Sequence, residues 1–121
     1  FPLAGFFQGN SIMCDQGLVR GLASGLPWAV VGGIATVATC SATDSQAQEI
    51  AKRTGALAEA MEGAAVVHSA MLMGVPAGEV RVISNQTGDR DSQGWDLQKA
   101  LESLSEFAGH LPAIVGDYRS Q

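Results

Sequence analysis

The chain has 121 residues, 46% of them hydrophobic, and a formal charge of −5. That length and apolar content suit one compact domain with a real core, while seven Lys and Arg spread along the sequence leave no basic stripe for nucleic-acid phosphates. Cys14 and Cys40 sit in unrelated contexts, with no Cys-x-x-Cys pair and no His at ligand spacing, so the expectation is a reduced cytoplasmic protein without a metal, a cofactor or a disulfide framework.

The opening Phe1-Pro2-Leu3-Ala4-Gly5-Phe6-Phe7 is apolar but has no positive n-region and is too short to span a bilayer. It is expected to be neither a signal peptide nor a membrane anchor. The absence of an initial Met suggests a fragment or a processed piece. Residues 1 to 28 read only as mixed loop and short elements. Ala29 to Thr39 is rich in β-branched and small apolar residues, as in a buried strand with a bend at Gly32-Gly33. Asp44 or Ser45 can cap a helix running to Thr54, with Lys52 and Arg53 in its last turn and Gly55 as its stop. A second strand, Ala56 to Ala60, leads into Glu62 to Met73, which is apolar nearly all round and therefore reads as a buried helix ended by Gly74-Val75-Pro76.

A third strand is predicted at Glu79 to Ser84, with Val80 and Val82 on one face and Arg81 and Ile83 on the other. After a polar loop from Asn85 to Ser92, a final helix carries Leu97, Leu101, Leu104, Ala108 and Leu111 at helical spacing. The β-α-β-α-β-α order implies an α/β fold: a three-layer αβα arrangement around a mostly parallel sheet with right-handed crossovers. A half-length sheet of this kind exposes apolar surface, which favours a homo-oligomer.

In an open α/β sheet, ligands bind beyond the carboxyl ends of the strands. Glu62 follows the second strand and Asn85 the third, which brings both to one rim. Each has an ordinary explanation: an acidic residue in the first turn of a helix interacts well with the helix dipole, and Asn after a strand is a turn former. Together they carry more weight, because a carboxylate opening a helix of Ala, Val and Met needs polar partners.

Ala60-Met61-Glu62-Gly63-Ala64-Ala65, followed by Arg81-x-Ile83-Ser84-Asn85 and by Gly88-Asp89-Arg90-Asp91 to Trp95-Asp96, resembles the purine nucleoside phosphorylase and nucleosidase superfamily. The resemblance covers roughly Gly32 to Leu111. It implies that the chain is the C-terminal portion, residues 1–121, of one phosphorylase/hydrolase-like domain, and an N-glycosidase acting on a nucleoside. It further implies that Met61 and Glu62 contact the ribose and that Asn85 contacts the purine. The Glu that activates water in this superfamily comes from the N-terminal half, so the piece alone is expected to need its other half or a second subunit.

Local chemistry agrees with these roles. Cleavage of a ribosyl C1′–N bond passes through an oxocarbenium-like state, which a carboxylate beside the sugar stabilises. Glu62 would accept from the 2′ and 3′ hydroxyls, its ionised form favoured by the helix N-terminus. Met61 would pack on the sugar, although an ordinary core Met fits the sequence equally well. A 6-oxopurine leaving with N7 protonated offers an acceptor at O6 and a donor at N7, matching the NH2 and C=O of Asn85. Adenine offers two donors, which suit Asp. Asn85 thus favours hypoxanthine as the leaving base and counts against methylthioadenosine or adenosylhomocysteine as substrates.

Thr39 and Cys40 occupy positions that line the base in relatives, without the aromatic that adenine-specific relatives place there. Arg90 suits a carboxylate on the substrate, although a solvated Arg paired with Asp89 or Asp91 is the plainer reading. His68 reads as a core imidazole, His110 as surface, Arg81 as structural, and Trp28 and Trp95 as packing anchors. Phosphorolysis is the nearest variant of this activity and demands a phosphate pocket that the sequence does not display. A noncatalytic binding or structural α/β module is the alternative class.

Overall fold

The computed structural model describes residues 7–8 and 10–119. Their packing forms two compact units. One contains the described residues up to Val31, Gly63–Val80 and the chain from Ala108 on; the other contains Gly32–Glu62 and Arg81–Phe107. The predicted apolar opening Phe1 to Phe6 lies outside the described residues.

In the first unit, β1 (Phe7–Gln8) and β2 (Ser11–Ile12) form a short antiparallel hairpin. Helix α1 (Gln16–Gly25) follows, where the sequence pattern indicated only loop and short elements. Its start signal is Asp15, whose Oδ1 accepts from the Leu18 N–H at 2.8 Å. The Asp15 N–H donates to the Ala77 carbonyl at 2.8 Å. Gly17, Gly21 and Gly25 recur every four residues and so share one face of α1. Against that face lie two residues from the end of the last helix: a Cβ at Gly17 would sit 3.0 Å from the Tyr118 ring, and one at Gly25 would sit 2.6 Å from Ile114 Cγ1. Ile114 is only 5% exposed there and Leu26 2%, so backbone approach takes the place of side-chain filling in this core.

Helix α3 (Gly63–Leu72) also belongs to the first unit. It was expected to be buried all round, but only Gly63 and Val67 are buried, while Val66 is 62% and Leu72 56% exposed. An apolar sequence makes a helix able to be buried on every side; the described residues cover one side of it. Residues 75–84, expected to include a third strand, form none, because strand assignment needs a ladder and no described strand lies beside them.

The second unit is built on a β-α-β element. Strand β3 (Ile34–Thr36) pairs in parallel with β4 (Ala58–Ala60), in the register Ile34↔Ala58, Ala35↔Glu59 and Thr36↔Ala60. Both strands are shorter than predicted. The ladder continues as single bonds at each end, Leu57 N–H to the Gly33 carbonyl and Val37 N–H to the Ala60 carbonyl, both 2.8 Å. Helix α2 (Asp44–Thr54) connects them and stops at Gly55, whose φ of 68° is the left-handed stop expected. Its cap is Thr43 rather than Asp44 or Ser45: Thr43 Oγ1 accepts from the Gln46 N–H at 3.3 Å. Asp44 is occupied elsewhere, as described below.

The last helix, α4 (Leu97–Arg119), starts at Asp96, whose Oδ1 accepts from the Lys99 N–H at 3.0 Å. It runs beyond Leu111, the last residue of the predicted stripe, and through Pro112, which costs one backbone donor inside the helix. The leucine stripe is not buried: Leu97, Leu101, Leu104 and Leu111 are 61, 57, 48 and 39% exposed. Trp95, expected to be a packing anchor, is 68% exposed. Trp28 is also exposed, and its ring meets His110 edge-on with centroids 5.3 Å apart. The architecture of the described residues is α/β with a small parallel sheet, and no helix among them is long and apolar enough to cross a membrane.

Gly25→Ala should destabilise the chain by about 1–3 kcal/mol in urea unfolding, because Ile114 must shift. Gly109→Ala, which meets open space on α4, should be neutral or stabilising by up to about 1 kcal/mol. Equal effects from the two would contradict the close contact. The cysteines provide a second check. Burial, and then the negative charge of Glu79, hold the Cys14 thiol above its usual range, while Cys40 is exposed. Maleimide at pH 7 should therefore modify Cys40 well before Cys14.

Candidate active site

All six residues singled out from the sequence, Thr39, Cys40, Met61, Glu62, Asn85 and Arg90, fall in the second unit. Strand β4 delivers Glu59 and then, past its end, Met61 and Glu62. Glu59 faces the loop that leaves β3. Its Oε2 accepts from the Ser41 N–H at 2.8 Å and its Oε1 from the Ser41 hydroxyl at 2.7 Å. Ser41 is 5% exposed, so a two-point grip on a carboxylate satisfies both of its donors.

Glu62 sits immediately before α3 and is exposed rather than buried, as is Met61 at 49%. The partner that the sequence called for is Arg81: its Nη2 lies 3.4 Å from Glu62 Oε2, with the two side chains 38% and 68% exposed. Arg81, read from the sequence as structural, thus touches the central carboxylate. A pair this exposed adds about 0–1 kcal/mol to stability.

The second tie in this unit joins residues 40–44 to residues 85–93. The Asp44 N–H donates to Asp89 Oδ1 and the Asp89 N–H to Asp44 Oδ1, each at 3.0 Å, and the Arg90 N–H donates to the Ala42 carbonyl at 3.2 Å. Between them is buried Gly88 at φ 138°, where a Cβ would run into Asp44 Oδ1. With Asp89 turned to the Asp44 backbone, Arg90 forms no ion pair with Asp89 or Asp91, contrary to the plainer expectation, and its side chain is exposed.

Asn85 is half-buried and held on every polar atom. Its Oδ1 accepts from the Ser84 hydroxyl at 2.9 Å, and its Nδ2 donates to the Gln86 carbonyl at 3.0 Å and to Gln93 Oε1 at 3.2 Å. Gln93 in turn donates from Nε2 to the carbonyls of Gly88, 2.7 Å away, and Ser41, 3.3 Å away. Thr39 and Cys40 are exposed on the bend leading to Ser41. The structure therefore links Asn85 to the Ser41 and Glu59 side of the unit through Gln93, and links Glu62 to Arg81, four residues before Asn85. Cavities of about 370 and 90 Å³ lie elsewhere, lined by neither Glu62 nor Asn85. Among the described residues no cluster of His, Cys, Asp and Glu could hold a metal ion.

Sequence reasoning did not nominate Gln93, Ser41 or Arg81. Arg81 alone had a signal, its place in the Arg-x-Ile-Ser-Asn run. Gln93 and Ser41 lie in polar loops with no spacing to mark them.

The sequence profile of the phosphorylase superfamily matches residues 5–118. A futalosine hydrolase from Acidothermus cellulolyticus is 46% identical over 85 residues, 69% of this chain and 35% of that protein. Futalosine hydrolases from Thermus thermophilus and Streptomyces coelicolor are each 37% identical, over 91% and 73% of this chain and 48% and 38% of theirs. The chain thus spans between 35% and 48% of the length of these relatives. No solved structure matches it significantly.

Ser41→Ala should cost about 1–2 kcal/mol in denaturant unfolding, since it strips one donor from a part-buried carboxylate. Ser45→Ala, at an exposed position, should change the midpoint by less than about 0.5 kcal/mol.

Proposed function

The chain belongs to the phosphorylase superfamily, and on that premise we propose that it serves the hydrolysis of the N-glycosidic bond of a 6-oxopurine nucleoside. The substrate we infer is futalosine, cleaved to dehypoxanthine futalosine and hypoxanthine in menaquinone biosynthesis. The observation that carries this reading is the carboxamide at position 85, fixed by hydrogen bonds in the unit that also presents Glu62. Three relatives described as futalosine hydrolases support it.

In this reading Glu62 lies under the ribose and accepts from its 2′ and 3′ hydroxyls. As the C1′–N bond lengthens, positive charge grows on the sugar, and the carboxylate interacts with it more strongly than with the ground state. Arg81 orients Glu62 through its contact, and exposed Met61 packs on the sugar face. A proton from solvent reaches N7 as the purine leaves with the bonding electron pair, and water bonds to C1′ and releases one proton in return. The protonated N7 of the purine donates to Asn85 Oδ1, and its O6 accepts a hydrogen bond from Nδ2 in place of the Gln86 carbonyl. Thr39 and Cys40 line the base, and Arg90, with its guanidinium free of Asp89 and Asp91, is available for the benzoate of futalosine.

We also read the chain as the C-terminal portion of one three-layer αβα domain, acting in the cytoplasm and within a homo-oligomer. The exposed stripe of α4 and the partial span of the relatives support this reading.

An assay of hypoxanthine release from futalosine, with and without phosphate, tests the proposal. Phosphate-independent release is expected from the chain supplied with the rest of its domain; release only with phosphate would make the activity phosphorolysis, and none at all from the completed domain would favour a noncatalytic module. Glu62→Gln should lower kcat/KM by about 100-fold or more, the size expected for losing a group that stabilises developing charge. Asn85→Asp should move the preference toward adenine nucleosides, and an unchanged preference would remove the hypoxanthine assignment.

A further inference from the structure

The hydrogen bonds around Asn85 determine which end of its amide is which. Carbonyl oxygens only accept, so the Ser41 and Gly88 carbonyls require the NH2 of Gln93. Gln93 must then present Oε1 to Asn85, and Oε1 also only accepts, so Asn85 answers with its NH2. The Gln86 carbonyl makes the same demand of the same group. A flipped Asn85 would set its oxygen against two acceptors.

We propose that Gln93 is a positioning residue for recognition of the leaving base, relaying the polarity of two backbone carbonyls to Asn85. This rests on the nucleoside reading above. With the NH2 held by Gln93, Asn85 Oδ1 has one lone pair on the Ser84 hydroxyl and one remaining. That lone pair meets the N7 hydrogen of a departing purine. The flipped amide would face N7–H with a second donor, and the leaving base would lose its stabilising bond. Gln93 itself touches no substrate. It acts by preorganisation, so its removal lowers the rate of bond cleavage more than ground-state binding.

Two variants of the full chain test this. Gln93→Met keeps length and loses all three hydrogen bonds; Gln93→Glu keeps an oxygen for the Asn85 NH2 but turns a second acceptor on the Ser41 and Gly88 carbonyls, so the relay is broken in both. Without substrate, exchange of the Asn85 side-chain amide protons with water, followed by NMR, should quicken about five- to tenfold in Gln93→Met and to a similar extent in Gln93→Glu. With futalosine, both variants should lower kcat about five- to tenfold while KM moves less than about twofold. Unchanged amide exchange, an unchanged kcat, or a Gln93→Glu variant as fast as the parent would overturn the proposal. If the parent chain, supplied with the rest of its domain, releases no hypoxanthine, the nucleoside reading fails, and amide exchange alone decides whether Gln93 holds Asn85.

Discussion

Two polar segments, residues 40–44 and 85–93, hold each other by reciprocal bonds from the Asp44 and Asp89 backbone N–H groups to each other's carboxylates, and the candidate site depends on that clasp. Beyond Asp44, where α2 begins, and a single turn of 3-10 helix at Arg90–Ser92, neither segment has regular structure to stiffen it. Their conformations are set by pairing main-chain donors on one loop with side-chain acceptors on the other, at a crossing where only a glycine fits, Gly88. Asn85 and Gln93 hang from this clasp. Satisfied polar networks of this kind specify one arrangement because each partner excludes the flipped alternative.

The two acidic residues of β4 and its exit show how position divides one chemistry into two roles. Glu59, on the strand, is consumed by Ser41 through two short bonds and serves to hold the loop. Glu62, three residues later and past the strand end, meets only the longer contact from Arg81 and stays open to solvent. A carboxylate committed to two donors is poorly placed to take two more from a sugar, whereas an exposed one retains its lone pairs. The separation follows from where β4 stops.

The first unit obeys a different constraint. Its helices approach through glycine at four-residue intervals on α1, so Ile114 and Tyr118 rest close to backbone. Much of the remaining apolar surface is open, including Leu111 of α4 and one side of α3. Such surface is costly in water and marks faces suited to further packing.

Local signals were legible in the sequence because they act within a few residues. Gly55 and Gly74 stop helices at positive φ, the β3-α2-β4 order follows from the change of period, and the Met61-Glu62 and Ser84-Asn85 motifs fall in one unit. Helix α1 was readable from Asp15 and the leucines at 18, 22 and 26, but its three glycines hid it, since glycine weakens helix propensity when no packing partner is known. Tertiary structure alone decided the rest: that Glu62 is exposed and meets Arg81, that residues 79–84 form no strand, that the α4 stripe stays open, and that Gln93 orients Asn85. Periodicity states which face of an element can be buried, whereas burial, ladders and amide orientation depend on groups brought up from far along the chain.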